Sequence, residues 1–118
     1  MSPNKKVVEE YLARPKRAEV APYLTEDAEW VEYADGVPVS GVRSRGRAAW
    51  VQNLGDAEFR SEVHRLTEEG NVVVAEGTAR GASPEGTPWA VRFVDIFELE
   101  NGKIKRMTSI GAMLKDST

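Results

Sequence analysis

The second half of the chain, from Phe59 to Met113, sets the strongest constraint on its fold. Four segments, "FRSEVHRL", "NVVVAEGTARG", "PWAVRFVDIFEL" and "KIKRMTSIGAM", are strand-like and are separated by Glu69-Gly70, "ASPEGT" and Asn101-Gly102. Such runs punctuated by turn residues predict an antiparallel meander of long strands. The first half has a different pattern. Ser2 and Pro3 suit the N-cap and first turn of a helix, and Val7, Val8, Tyr11 and Leu12 recur on one side, which predicts a helix over residues 3 to 13. Pro15 interrupts it, and "RAEVAPYL" predicts a second short helix with Val20, Tyr23 and Leu24 facing inward and Pro22 in its first turn. "AEWVEYA" alternates as a first strand ending at Asp35-Gly36. A loop from Gly36 to Arg45 follows, after which Ser44 is placed to cap a third helix that ends before Gly55 and buries Trp50, Val51 and Leu54. Helices first and antiparallel strands after predict an α+β fold, with the helices laid on one face of a curved sheet.

Length and composition narrow the function classes. A chain of 118 residues is one domain with a single core, without internal repeats or low-complexity stretches. A net charge of −3 with acids and bases interspersed argues against nucleic acid as a partner. The absence of cysteine removes disulfides and thiolate chemistry, and a single histidine cannot build a His-based metal site, so neither metal nor cofactor is expected. The N-terminus lacks the apolar run of a signal peptide and no stretch approaches a membrane span, so a cytoplasmic protein without membrane contact is expected.

One acid stands in an awkward place. At the two-residue period of a strand, Trp89, Val91, Phe93, Asp95, Phe97 and Leu99 share a face, so Asp95 falls in the middle of an apolar surface. A lone carboxylate there costs on the order of several kcal/mol unless it is paired, hydrogen-bonded or protonated. On the neighbouring strand Val73, Ala75, Gly77 and Ala79 form a face of small side chains, which either lets a helix pack closely or leaves room for a pocket.

The order of elements, with "YLTEDAEWVEYADG", "SRGRAAW" and "FVDIFELENGKIKRM", resembles the nuclear transport factor 2-like superfamily, whose small members include SnoaL-like polyketide cyclases, ketosteroid isomerases and limonene epoxide hydrolases. The resemblance covers nearly the whole chain as a single SnoaL-like or ketosteroid isomerase-like domain, residues 1–118. It implies a cone-shaped α+β fold: a curved antiparallel sheet wrapped by three N-terminal helices around a central pocket, commonly as a homodimer. It also implies that Asp95 enters the pocket. In the cyclases that aspartate is the acid/base. In ketosteroid isomerases it is the protonated member of the oxyanion hole. The isomerase base maps to Glu32 and its tyrosine donor to Tyr11. The resemblance also has departures. Ala79, Gly77 and Ser109 stand where the epoxide hydrolases need two aspartates and an arginine, and Arg106 and Met107 stand where many cyclases carry a histidine and a tryptophan.

The hairpin after Asp95 decides its surroundings. A two-residue Asn101-Gly102 turn pairs Glu100 with Lys103, sets Asp95 opposite Thr108 and makes an ion pair with Arg106 possible. A three-residue "ENG" loop pairs Leu99 with Lys103 and sets Asp95 opposite Met107 with Ser109 diagonal, leaving the acid unpaired with a raised pKa. The resemblance, which puts Met107 in the pocket, favours the second register. Glu32 shares a strand face with Trp30, and two acids in different protonation states would supply one base and one acid. Trp30 is the first choice for an aromatic pocket wall, with Trp50, Ala75, Gly77, Met107 and Ser109 as further substrate contacts. His64, alternating with Glu62 and Leu66, is expected at a surface or sheet edge unless its strand bulges. Arg43, Arg45 and Arg47 read as a solvated loop, a dimer contact or a recruiter of an anionic substrate, and Lys5, Lys6, Lys16 and Arg17 as ordinary charged surface.

These residues predict a small cofactor-independent enzyme of the isomerase, cyclase or dehydratase type. Glu32 would abstract a proton next to a carbonyl of an apolar cyclic substrate, and Asp95 would hydrogen-bond the enolate with help from Tyr11. The competing expectations are a non-catalytic module that binds a small hydrophobic or aromatic ligand, and a homodimeric interaction domain.

Overall fold

The structure, a computed structural model, describes residues 1–34 and 41–115. Helix α1 spans Pro3–Leu12, with Pro3 in its first turn and the Ser2 side chain accepting from the Lys5 N–H at 3.1 Å. A 3-10 helix covers Arg17–Tyr23 and β1 spans Leu24–Ala34. β2 (Gly41–Arg45) and α2 (Arg47–Leu54) follow. The last four strands are β3 (Phe59–Glu69), β4 (Val72–Ala82), β5 (Pro88–Glu100) and β6 (Lys103–Met113). The predicted meander is present strand for strand. The expected end of the first strand at Asp35-Gly36 lies outside the described residues.

Three local expectations change. Gly41–Arg45, expected in a loop, pairs antiparallel with β1. Ser44 is a buried strand residue in it, and the position preceding α2 is Gly46, at φ 94°, which favours glycine. Pro22 lies near the end of the 3-10 helix rather than in its first turn; a short helix loses little when one N–H is missing there.

The strands form one six-stranded sheet in the order β2-β1-β6-β5-β4-β3. All neighbours are antiparallel except β1 and β6, which are parallel, so the sheet is mixed. The parallel pair arises because the chain returns to β1 from the far edge, after the whole meander has been laid down. Bulges at Arg43, His64 and Lys105 interrupt the ladders and bend the strands that carry them. The sheet is thereby curved, and the helices lie against it: α1 packs on β3, β4 and β6, and α2 on β1, β2 and the 3-10 helix. Between them lies one core, with Val8, Leu24, Trp50, Val73, Phe97 and Ile104 fully buried. None of the described helices is long and apolar enough to cross a membrane.

The small residues of β4 divide between packing and space. A Cβ on Gly77 would collide with the Glu62 carbonyl oxygen and stand 2.7 Å from the Phe93 ring. Backbone on one side cannot yield, so Gly77→Ala is expected to cost at least about 1–3 kcal/mol in denaturant unfolding. A change below about 0.5 kcal/mol would show that the strands separate freely at this point.

Candidate functional site

The two-residue turn forms at Asn101-Gly102, both at positive φ (51° and 77°), the backbone shape that an Asn-Gly hairpin favours. Glu100 pairs with Lys103 and Leu99 with Ile104. Lys105 then bulges, and beyond it the register moves on by one: Glu98 pairs with Arg106, Phe97 with Met107 and Asp95 with Ser109. Neither expected partner of Asp95 is therefore correct, neither Thr108 nor Met107. Arg106 does not reach it either, lying instead 3.5 Å from Glu29 and 3.8 Å from Glu98.

The same bulge sets up a row across the sheet. Ala75, Asp95, Ser109 and Glu32 stand side by side on β4, β5, β6 and β1. Two strand spacings put the Asp95 and Glu32 backbones about 10 Å apart with Ser109 between them. The Ser109 hydroxyl donates to Asp95 Oδ1 at 2.6 Å. Asp95 is 7% exposed and makes no ion pair within 4 Å among the described residues. Burial pushes its carboxyl from the ordinary 3.8 up to about 7; the Ser109 hydrogen bond and the Arg17 charge pull it down, and the Glu32 charge adds to the rise.

Asp95 lines a cavity of about 180 Å³ between the helices and the sheet. Tyr11, Trp30, Glu32, Met107 and Ser109 line it too, so six of the residues singled out in the sequence meet there. Burial pushes the Tyr11 phenol above its ordinary value and outweighs the opposing pull of Arg17, so the phenol stays a neutral donor. Glu32 is ion-paired with Arg43 at 2.9 Å, and the Arg43 guanidinium also lies 5.4 Å over the Trp30 ring. Arg43 is thus an exposed residue of β2 that contacts two lining residues, Glu32 and Trp30, rather than part of a loop.

Three expected contacts are absent from the wall. Trp50 is fully buried behind it, tilted against Trp30 at 5.9 Å and edge-on to Tyr11 at 6.1 Å, so it supports the lining without reaching the space. Ala75 and Gly77 are buried as well, with Gly77 covered by the Phe93 ring. Of the small β4 face only Ala79 borders the cavity. His64 does sit on a bulge, yet it stays outside, with Nε2 3.3 Å from Glu62 and 3.4 Å from the Thr78 hydroxyl. The bulge also breaks its alternation with Leu66, which packs on the core with Val63.

The wall holds one charged group that the sequence pattern hides. Arg17, expected on the surface, is 2% exposed and lines the cavity. Its Nη1 donates to the Tyr11 carbonyl at 2.9 Å, and its Nη2 to the Leu12 carbonyl at 3.2 Å and the Ser61 hydroxyl at 2.6 Å. The Phe59 ring lies 4.2 Å from the guanidinium carbon. The first two acceptors are carbonyls at the C-terminal end of α1, which lack partners within the helix. A basic residue just beyond a helix broken by Pro15 was the available signal. Phe59, Ser61, Trp89 and Val91 complete the lining. Among the described residues no cluster of His, Asp and Glu is placed to hold a metal ion.

The chain is similar to TerC, a structure co-crystallised with polyporic acid, at 27% identity and a TM-score of 0.78 over 92% of this chain and 91% of that one. It is similar to SalBIII, an epoxide hydrolase/cyclase-like enzyme in pyran ring formation in the polyether salinomycin, at 27% identity and a TM-score of 0.76, covering 92% and 89%. A phenazine biosynthesis-related protein from Pseudomonas aeruginosa shares the fold at 19% identity and a TM-score of 0.77, covering 92% and 75%. No curated protein matches the chain in sequence. The family model described as a SnoaL-like domain matches residues 6–107, and with that match over most of its length the chain belongs to the SnoaL-like domain family.

Proposed function

We propose that the cavity is an acid/base active site that moves a proton at a carbon next to a carbonyl of a small cyclic substrate, and that Asp95 carries the proton. The observation that supports this is a buried carboxyl on the cavity wall, held by one neutral donor and poised at about 7. A group so poised is present in both forms near neutral pH and can take a proton and give it back. In this reading the Asp95 carboxylate removes the proton, the Tyr11 phenol hydrogen-bonds the enolate oxygen, and Asp95 returns the proton to a second carbon. The Glu32 carboxylate, tied to Arg43, serves as a fixed negative charge rather than as the base. The similarity to SalBIII, an epoxide hydrolase/cyclase-like enzyme in pyran ring formation, agrees with a cavity that accommodates a ring, there as the product. The volume of about 180 Å³ is close to that of a cavity of about 150 Å³ known to hold benzene, which supports a single ring rather than a fused polycycle.

Conversion of β,γ-cyclohexenone to its conjugated isomer, followed by ultraviolet absorbance, is the test. The wild-type rate is expected to rise with pH through about 7 as Asp95 loses its proton. Asp95→Asn is expected to lower it by about 100-fold or more. A wild-type rate no faster than buffer, or an Asp95→Asn rate equal to wild type, would remove the basis of this proposal.

A second reading, self-association through the outer face of the sheet, is supported by exposed apolar side chains there. Tyr33 and Ile110 are register partners on β1 and β6, and both are nearly half exposed. Val42 on β2 is exposed on the same face. Sedimentation equilibrium is expected to give a dimer for wild type and a monomer for Ile110→Glu, and a monomeric wild type would count against it.

A further inference from the structure

We propose that Arg17 is the anchor for an anionic oxygen of the substrate, so that the site takes small ring compounds bearing a carboxylate. This rests on the reading of the cavity as the substrate site, and it adds a charge requirement to it. Arg17 is 2% exposed, lines the cavity and has no carboxylate within ion-pair distance among the described residues. Three of its N–H groups go to neutral oxygens, those of Tyr11, Leu12 and Ser61, and its Nε–H has no partner.

Capping α1 explains two of the three hydrogen bonds, those to the Tyr11 and Leu12 carbonyls, but not the buried charge. A helix C-terminus can be closed by glycine, water or a solvent-reaching lysine, whereas a buried cation hydrogen-bonded only to neutral oxygens carries a desolvation cost that the Asp95 charge, beyond ion-pair distance, returns only in part. Burial accordingly pulls the guanidinium below its ordinary value. A bound anion would supply the missing counter-charge. The guanidinium is also held for that task, its head fixed by two backbone carbonyls and the Phe59 ring 4.2 Å from its central carbon. Neither acid of the wall bonds to it directly, although the Asp95 charge attracts it from beyond ion-pair distance. Glu32 is paired with Arg43, and Asp95 takes its hydrogen bond from Ser109. A carboxylate on Arg17 would orient the ring by one charge-assisted contact in an otherwise apolar space.

The test is a calorimetric titration of the wild-type protein with benzoate and, separately, with benzamide, which has the same shape without the charge. Benzoate is expected to bind about tenfold or more tightly than benzamide, the advantage a charge-assisted hydrogen bond confers. Arg17→Lys should keep part of this preference and Arg17→Met should lose it. Equal affinities, no binding of either compound, or an Arg17→Met protein that still prefers benzoate would overturn the proposal. Should Arg17→Met fail to fold, the Arg17 Nε–H resonance of the wild-type protein decides: benzoate should shift it and benzamide should not, and an unmoved signal counts against the proposal. The outcomes separate the two claims. Benzoate preference without cyclohexenone turnover removes the proton-transfer reading alone, and turnover lost in Asp95→Asn without benzoate preference removes the Arg17 anchor alone.

Discussion

Asp95→Asn is expected to raise the thermal midpoint by on the order of 10 °C at about pH 8 and to leave it nearly unchanged at about pH 4. The sign follows from the raised pKa. In the folded chain Asp95 holds its proton up to about 7, whereas unfolded it releases the proton near the ordinary 3.8. Between those values the folded state binds a proton that the unfolded state has lost, so the stability present below about pH 4 declines as pH rises and is gone above about 7. At about 1.4 kcal/mol per pKa unit the loss is on the order of a few kcal/mol. Asparagine carries no charge to desolvate, fills the same space and still offers Oδ1 to the Ser109 hydroxyl. The substitution that removes the proposed proton carrier should therefore stabilise the fold, as expected where a buried acid is retained for chemistry. Equal midpoint shifts at both pH values would mean that Asp95 is not carrying a buried charge.

Arg17→Met should act in the opposite direction and at every pH. Methionine fills part of the space but leaves the Leu12 carbonyl and the Ser61 hydroxyl without the Arg17 donor, and the Tyr11 carbonyl with only the Arg14 N–H at 3.4 Å. Each unpaired buried group costs about 1–3 kcal/mol, offset in part because a charge no longer has to be desolvated. A net loss of about 3 kcal/mol is expected in urea unfolding, with an unchanged slope if the unfolded state is unaffected. The loss should be concentrated at the junction that Arg17 spans, where the end of α1, the start of the 3-10 helix and β3 meet. Faster amide exchange in the last turn of α1 than elsewhere in the core would locate it. A loss below about 1 kcal/mol would mean that water satisfies those carbonyls equally well.

The four strands of the meander were legible because each runs for eleven or thirteen residues with turn residues between, and periodicity needs only such length to declare itself. The face of β5 was legible for the same reason, and it carried Asp95 into the cavity wall together with Trp89, Val91 and Phe93. Register was not. The Asn-Gly turn fixes the pairing only as far as Ile104, and nothing in "KIKRM" marks Lys105 as the residue that bulges. Whether Thr108, Met107 or Ser109 faces the acid depends on that one residue. β2 escaped because five residues are too few for alternation to stand out, and its pairing with β1 is a long-range contact. Arg17 was hidden by its neighbours. In "RPKRAE" a single buried cation looks like the exposed ones beside it, and only the position of the α1 C-terminus distinguishes it. Trp50 and Gly77 lie on the correct faces but one layer behind the wall, since a pattern along one element cannot tell which residues a neighbouring ring will cover.

Glu32 and Asp95 came out in a different relation from the one their types suggested. Both are carboxylates on the concave face of the sheet, in one row. Arg43 pairs with one and none of the described cations with the other, and that asymmetry arises from β2, the strand that the sequence did not reveal. The pair was recognisable, but which member is the proton carrier depends on a long-range contact.

Carbon-13 carboxyl NMR of the wild-type protein, titrated from about pH 3 to about pH 9 with Asp95→Asn to assign the signal, addresses the state of Asp95 itself. A midpoint near 7 is the predicted result. A midpoint near 4 would contradict it, because Asp95 would then be an ordinary carboxylate without the poise that proton transfer at neutral pH requires.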